Sequence, residues 1–181
     1  MADPALVDLR IVQGTHWTKP FRVLAGGVLL DTSAYTARAK VRSSTEDATV
    51  QLDMTTANGK LAVGFDPPKR LNATAYGVGQ QVVPNALNGY IYEATVAGTS
   101  GGSEPAWSTT LGATFADGSV TWTVKKADTA ASNLRIVLTP TDTTPLADWG
   151  LGVWDCELID SYGHVLRILE GSCVLSREIT R

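Results

Sequence analysis

Apolar and polar positions alternate in short runs along most of the chain. The clearest run is near the C-terminus, where Trp154, Cys156 and Leu158 alternate with Asp155 and Glu157. That period of two predicts a strand with one buried face. Asp160-Ser161-Tyr162-Gly163 reads as a turn, with Gly163 free to take positive φ. Val165 to Leu169 then returns along the first strand, and Gly171 reads as the next break before a final strand. A hairpin alone is only marginally stable, so other strands must cover its apolar face.

The N-terminal part supplies candidates. Leu9 to Val12 alternates and stops at Gly14, and Phe21 to Leu24 is followed by a Gly26-Gly27 turn and Val28 to Leu30. From Tyr35 to Arg42 the pattern is strict: Tyr35, Ala37, Ala39 and Val41 on one face, Thr36, Arg38, Lys40 and Arg42 on the other. Thr49 to Leu52 reads as another strand. Asn58-Gly59, flanked by Leu52-Asp53-Met54 and Leu61-Ala62-Val63, predicts a hairpin. Strands of this length at short spacing predict a β-sandwich.

Texture changes at Asp66-Pro67-Pro68, because proline cannot donate to a ladder. From about Arg70 to Lys126 charge is sparse, and Gly, Ser, Thr, Asn and aromatic residues dominate. After a linker-like Ala127 to Ser132, the first texture resumes with the apolar run Leu134 to Leu138, then a turn or single helical turn at Thr141 to Leu146. The predicted architecture is one sandwich built from residues 1–68 and 128–181, with a small all-β module, 69–127, inserted between them. Insertions succeed at exposed hairpin tips. Three segments in a row is the alternative, but the N-terminal strands without the closing hairpin would make an incomplete sandwich.

Composition narrows the function classes. Charged residues make up 18% of the 181 residues and the net charge is −3, without the basic patch of a nucleic-acid binder. No run of apolar residues is long enough for a transmembrane helix, and Met1 to Pro4 lacks a secretory pattern, so assembly in a cytoplasm is expected. Cys156 and Cys173 are too few for a disulfide scaffold or a zinc site and read as buried free thiols, with Cys156 facing a residue near Arg167. His16 and His164 lack partners at ligand spacing, so no metal and no cofactor is expected. Gly98-Thr99-Ser100-Gly101-Gly102 is neither a nucleophile elbow nor a phosphate loop. Asp155 or Glu157 could be set with Asp117 as a carboxylate pair, but Asp155 and Glu157 lie on the polar face of one strand and read as solvated charge, and no enzymatic activity is expected.

Tyr90, Tyr92, Trp107 and Trp122 form the one candidate binding cluster, since aromatic faces stack on sugar C–H groups. Trp122, mid-strand, reads as core. For Tyr92 and Trp107 the sequence leaves both roles open, because a module this small has little else to fill its interior.

Two resemblances bear on function. Leu9 to Thr15, Leu30 to Arg42, Trp154 to Asp160 with Gly163 and Leu169-Glu170-Gly171, and the ending Ser176 to Arg181 together resemble an immunoglobulin-like domain of tailed-phage virion proteins. That domain occurs at the N-termini of tail-fibre and baseplate receptor-binding proteins. The insert is similar to a second phage surface module through Tyr76-x-x-Gly79, Asn88-Gly89-Tyr90-x-Tyr92, Ala97 to Gly101, Glu104-Pro105-x-Trp107 and Asp117-Gly118-x-Val120-x-Trp122. Ala73-Thr74-Ala75 stands where that module often carries a further aromatic residue.

The fold these resemblances imply is an all-β, immunoglobulin-like β-sandwich with a small β module inserted. The function they imply is that of a structural virion component, a tail or neck adaptor or tail-fibre-attachment accessory. It would dock on other virion proteins as a symmetric homo-oligomer. A capsid decoration (cement) protein is the alternative, and a carbohydrate-binding module using Tyr90, Tyr92 and Trp107 the third. Such fibre proteins continue beyond the position of Arg181 into a shaft, so a fitting between larger parts is expected rather than a whole fibre.

Overall fold

Strict alternation becomes strand wherever one face is covered. The computed structural model describes residues 3–126 and 132–178. Its strands are β1 (Ala5–Leu6), β2 (Leu9–Val12), β3 (Trp17–Phe21), β4 (Leu24–Ala25), β5 (Val28–Leu29), β6 (Thr36–Arg42), β7 (Leu52–Thr55) and β8 (Leu61–Asp66). They continue with β9 (Ala75–Tyr76), β10 (Gln81–Val82), β11 (Tyr90–Val96), β12 (Gly98–Thr99), β13 (Thr114–Asp117), β14 (Val120–Lys126), β15 (Ser132–Leu138), β16 (Leu151–Ile159) and β17 (Val165–Ser176). A single helical turn, α1 (Pro140–Thr143), starts where the Asp142 carboxylate accepts the Thr139 N–H at 2.9 Å.

The chain divides into two compact units, 1–63 with 133–181, and 64–132. The second unit thus extends five residues beyond the expected 69–127 at each end. Ala127 to Ala131 of the linker-like stretch, and Ile179 to Arg181, lie outside the described residues.

The first unit is an all-β sandwich. Its six-stranded sheet runs β1-β17-β16-β6-β7, with β2 also paired to β17; its three-stranded sheet runs β3-β15-β8. β6 shows the expected alternation, with Ala37, Ala39 and Val41 buried between exposed Thr36, Arg38 and Lys40. Opposite them in register lie Leu158, Cys156 and Trp154. Phe21, Leu134, Ile136 and Leu138 of the smaller sheet close the same core, and the Phe21 and Trp154 rings sit 6.1 Å apart. Each such large apolar side chain contributes about 1.5–3 kcal/mol when fully buried.

Four local expectations differ from the structure. Asn58-Gly59 does not close a hairpin: β7 pairs with β6, whereas β8 belongs to the other sheet, so the turn carries the chain across the sandwich. Thr49 to Gln51 is not strand; β7 begins at Leu52. Phe21 to Leu24 is not one strand: β3 ends at Phe21, and β4 takes up only Leu24–Ala25. Gly171 is not a break, since β17 passes through it without interruption.

The reason for Gly171 lies in the N-terminal segment. β1 runs parallel to β17 at Leu169 and Glu170, and β2 runs parallel to it from Cys173 to Ser176. Between them Val7 crosses over Gly171, its N–H bonded to the Glu170 carbonyl at 2.8 Å. Trp154, directly opposite Gly171, donates its indole N–H to the Val7 carbonyl at 2.7 Å. A Cβ on Gly171 would lie 2.2 Å from that carbonyl oxygen.

Buried Asn133 performs a similar latch. It accepts the Val23 N–H at 2.7 Å and donates to the Val23 and Leu30 carbonyls at 2.8 and 2.7 Å, holding the β4–β5 hairpin. Both cysteines are free and buried, and burial pushes each thiol up to about 12; Asp155 and Glu157 add to the effect at Cys156.

Gly171→Ala should destabilise the sandwich by about 1–3 kcal/mol, the usual cost of overfilling a packed site. Urea unfolding checks this, and a midpoint unchanged or raised would contradict the crossing geometry.

Candidate functional site

The second unit is built around a charge pair that water does not reach. Its four-stranded sheet runs β10-β11-β14-β13, and β12 pairs separately with β9. Val82, Tyr92, Ala94, Val120, Trp122 and Val124 alternate inward to make its core, with Trp122 opposite both Ala94 and Phe115. At the end of β13, Asp117 is buried and faces Arg70, which is 1% exposed.

The pair is bidentate: Arg70 Nε donates to Asp117 Oδ2 at 2.9 Å and Nη2 to Oδ1 at 2.7 Å. The Trp122 indole N–H adds 3.0 Å to Oδ2, and the Gly101 N–H adds 2.9 Å to Oδ1. Arg70 also donates to the Gly101 carbonyl at 2.6 Å and to the Asn72 side-chain oxygen. Burial raises the Asp117 carboxyl, but the bonds from Arg70, Trp122 and Gly101 outweigh it and hold the group below its ordinary value of 3.8.

The glycines of this module follow from that network. A Cβ on Gly118 would lie 2.4 Å from the Thr99 carbonyl, and one on Gly98 2.4 Å from the Ser119 carbonyl. Gly118 also has φ of +66°, which L side chains rarely adopt. The Gly-Thr-Ser-Gly and Asp-Gly stretches are therefore the places where two chain segments press together over the buried pair. Ser100 joins them, donating from its hydroxyl to the Leu71 carbonyl at 2.7 Å.

The expected aromatic cluster splits by burial. Tyr92 is fully buried; its hydroxyl donates to the Ser108 carbonyl at 2.8 Å and accepts from Asn88 Nδ2 at 2.7 Å. Burial raises its phenol above the ordinary 10.0. Its ring leaves no face for a ligand. Trp107 is half-buried and packs on Tyr92 at 4.3 Å and on Phe115 at 5.8 Å, nearly perpendicular to the latter. Its indole N–H is shielded from solvent without a hydrogen-bond acceptor. Tyr90, also half-buried, reaches the cluster from its border. Trp122 is core, 0% exposed. The arrangement offers partial aromatic faces at Tyr90 and Trp107.

The other residues weighed from sequence are occupied elsewhere. Arg38 and Glu157 meet at 2.6 Å, and Arg167 lies 3.4 Å from Asp155, all on the outer face of the large sheet. A shallow concavity of about 450 Å³ on that face is lined by Leu6, Lys40, Arg42, Asp155, Arg167 and Glu170, charges of both signs. His164 is exposed and pairs with Asp160 at 2.8 Å. Among the described residues, no group of three or more His, Cys, Asp or Glu side chains is placed to hold a metal ion. None of the helices described is long and apolar enough to cross a membrane.

The sequence motifs include Asn88 but neither Arg70 nor Phe115. For Arg70 a signal existed: an arginine and an aspartate stood out in a segment where charge is sparse. No family model matches the chain, and no curated protein matches it.

Two outcomes follow for this unit. Because the folded carboxyl of Asp117 lies below its unfolded value, its stabilisation is complete above pH 3.8 and is lost as pH falls through the folded value. An acid titration followed by Trp fluorescence should show this unit losing stability as pH falls below about 4, and Asp117→Asn should reduce that acid dependence. Trp107→Ala should cost about 2–4 kcal/mol, less than a fully buried tryptophan, through lost packing on Tyr92 and Phe115. Thermal unfolding measures it; a loss near zero would mean that Trp107 is a surface ring free for a ligand.

Proposed function

We propose that the chain is a structural component of a tailed-phage virion, a tail or neck adaptor or tail-fibre-attachment accessory that acts by docking on other virion proteins. The observation that carries this reading is the strand order. Named in immunoglobulin fashion, β2, β17, β16, β6 and β7 follow the order A′-G-F-C-C′, and β3, β15 and β8 follow B-E-D. The parallel pairing of β2 with β17 fits that scheme. The sandwich is thus read as immunoglobulin-like, with the second unit inserted in its D–E connection, between β8 and β15. This matches the kind of host domain that the N-terminal and C-terminal motifs resemble.

The motifs of the insert support the same reading from the other side. Gly98, Gly101, Asp117, Gly118 and Trp122 are the frame of a separately cored module. On this reading the chain carries that module as an insert in its sandwich sequence. Its work is assembly rather than turnover: copies arranged around a symmetry axis sum weak contacts into a firm attachment.

Mass spectrometry and immunogold labelling of purified virions test the proposal. The expected result is the chain present in virions with label at the tail or neck. Label over the head would move the assignment to capsid decoration, and absence from virions would overturn it.

A further inference from the structure

An edge strand presents unpaired N–H and C=O groups that invite pairing with another chain. In the six-stranded sheet, β7 is an edge, since it pairs with β6 alone in the strand order. Along β7 alternate residues point opposite ways. Thr56, just past its end, donates to the Ala37 carbonyl at 3.0 Å, so Thr55 and Asp53 present their backbone groups away from β6. No proline interrupts Leu52-Asp53-Met54-Thr55, in contrast to β3, an edge that carries Lys19 and Pro20.

Both kinds of outward group on β7 are nevertheless satisfied by one side chain. Asn58 Oδ1 accepts the Thr55 N–H at 2.9 Å, and Asn58 Nδ2 donates to the Asp53 carbonyl at 3.1 Å. A side-chain amide has the same donor and acceptor as a peptide unit. Asn58 therefore stands where the peptide group of an added strand would stand. Its position is fixed by the Lys60 N–H, which donates to Oδ1 at 3.1 Å, and by its own N–H, which donates to Thr55 Oγ1 at 3.0 Å.

We propose that Asn58 is an edge plug that keeps β7 from pairing with β7 of a second copy of the chain. The blocked partner is a second copy because the edge is self-complementary in one register. With a two-fold axis at Met54, Asp53 exchanges backbone bonds with Thr55 of the second copy, and Thr55 with its Asp53. Met54 then faces Met54, extending the buried face, and the Asp53 carboxylate meets a Thr55 hydroxyl rather than another carboxylate. The inference stands apart from the virion reading, since it concerns the bare chain.

Sedimentation of the full chain and its variants at matched concentrations tests it. Asn58→Ala, which removes both bonds, should raise the apparent mass over that of the unmutated chain, up to a doubling. Adding Thr55→Pro, which deletes the outward N–H, should return the mass to the unmutated value. Asn58→Ser keeps a short polar turn residue that cannot span both groups and carries the test if the alanine variant does not fold. Folded variants of unchanged mass would overturn the proposal. So would association that persists in the presence of Thr55→Pro, because it would not run through this edge.

Discussion

The inserted unit depends on one buried ion pair. Burying Arg70 and Asp117 costs several kcal/mol per charge in desolvation, and only close geometry with further hydrogen bonds offsets it. Here the carboxylate is met by the guanidinium, an indole N–H and a backbone N–H. Those partners come from different parts of the segment: Arg70 before β9, Gly101 after β12, Asp117 at the end of β13 and Trp122 in β14. A small module with limited apolar area thereby fixes the relative positions of its loops. The pair need not raise stability over an apolar replacement, but removing one partner strands the other and costs about 3–5 kcal/mol.

The sandwich uses a different economy. Its constraint is the crossing of Val7 over Gly171, against which Trp154 is bonded. That crossing lets the N-terminal segment supply β1 and β2 to the same strand and place Leu9 and Ile11 in the core. Asn133 does comparable work at the opposite sheet. In both places a polar bond made inside the protein sets the path of a segment whose apolar residues then pack.

Much of the fold was legible where period-two alternation is strict. β6 and β16 appear as read, with Ala37, Ala39, Val41, Trp154, Cys156 and Leu158 buried. Turn chemistry was less informative. Asn58-Gly59 carries a hairpin's residues, but whether the flanking strands pair is decided by which sheet each one's apolar face joins. Gly171 reads as a break, yet its lack of a side chain serves a close approach by a segment far away in sequence. The site was legible only in part. Tyr92 and Trp122 share one inward face of the sheet with alternation as the sign, while the pairing of Arg70 with Asp117 spans too long a stretch for local pattern to disclose. As for function, the sequence motifs supply the resemblance, and the strand order and the insertion point are what the structure adds in its support.

Two separately cored units share this chain, and Asp117 organises one of them. Native-state amide hydrogen exchange on the full chain tests it most directly, comparing the unmutated protein with Asp117→Asn. Gly101, Val124 and neighbouring amides of the insert should lose protection while those of Ala39, Cys156 and Leu158 in the sandwich keep theirs. Equal loss in both units, or no loss in the insert, would contradict it.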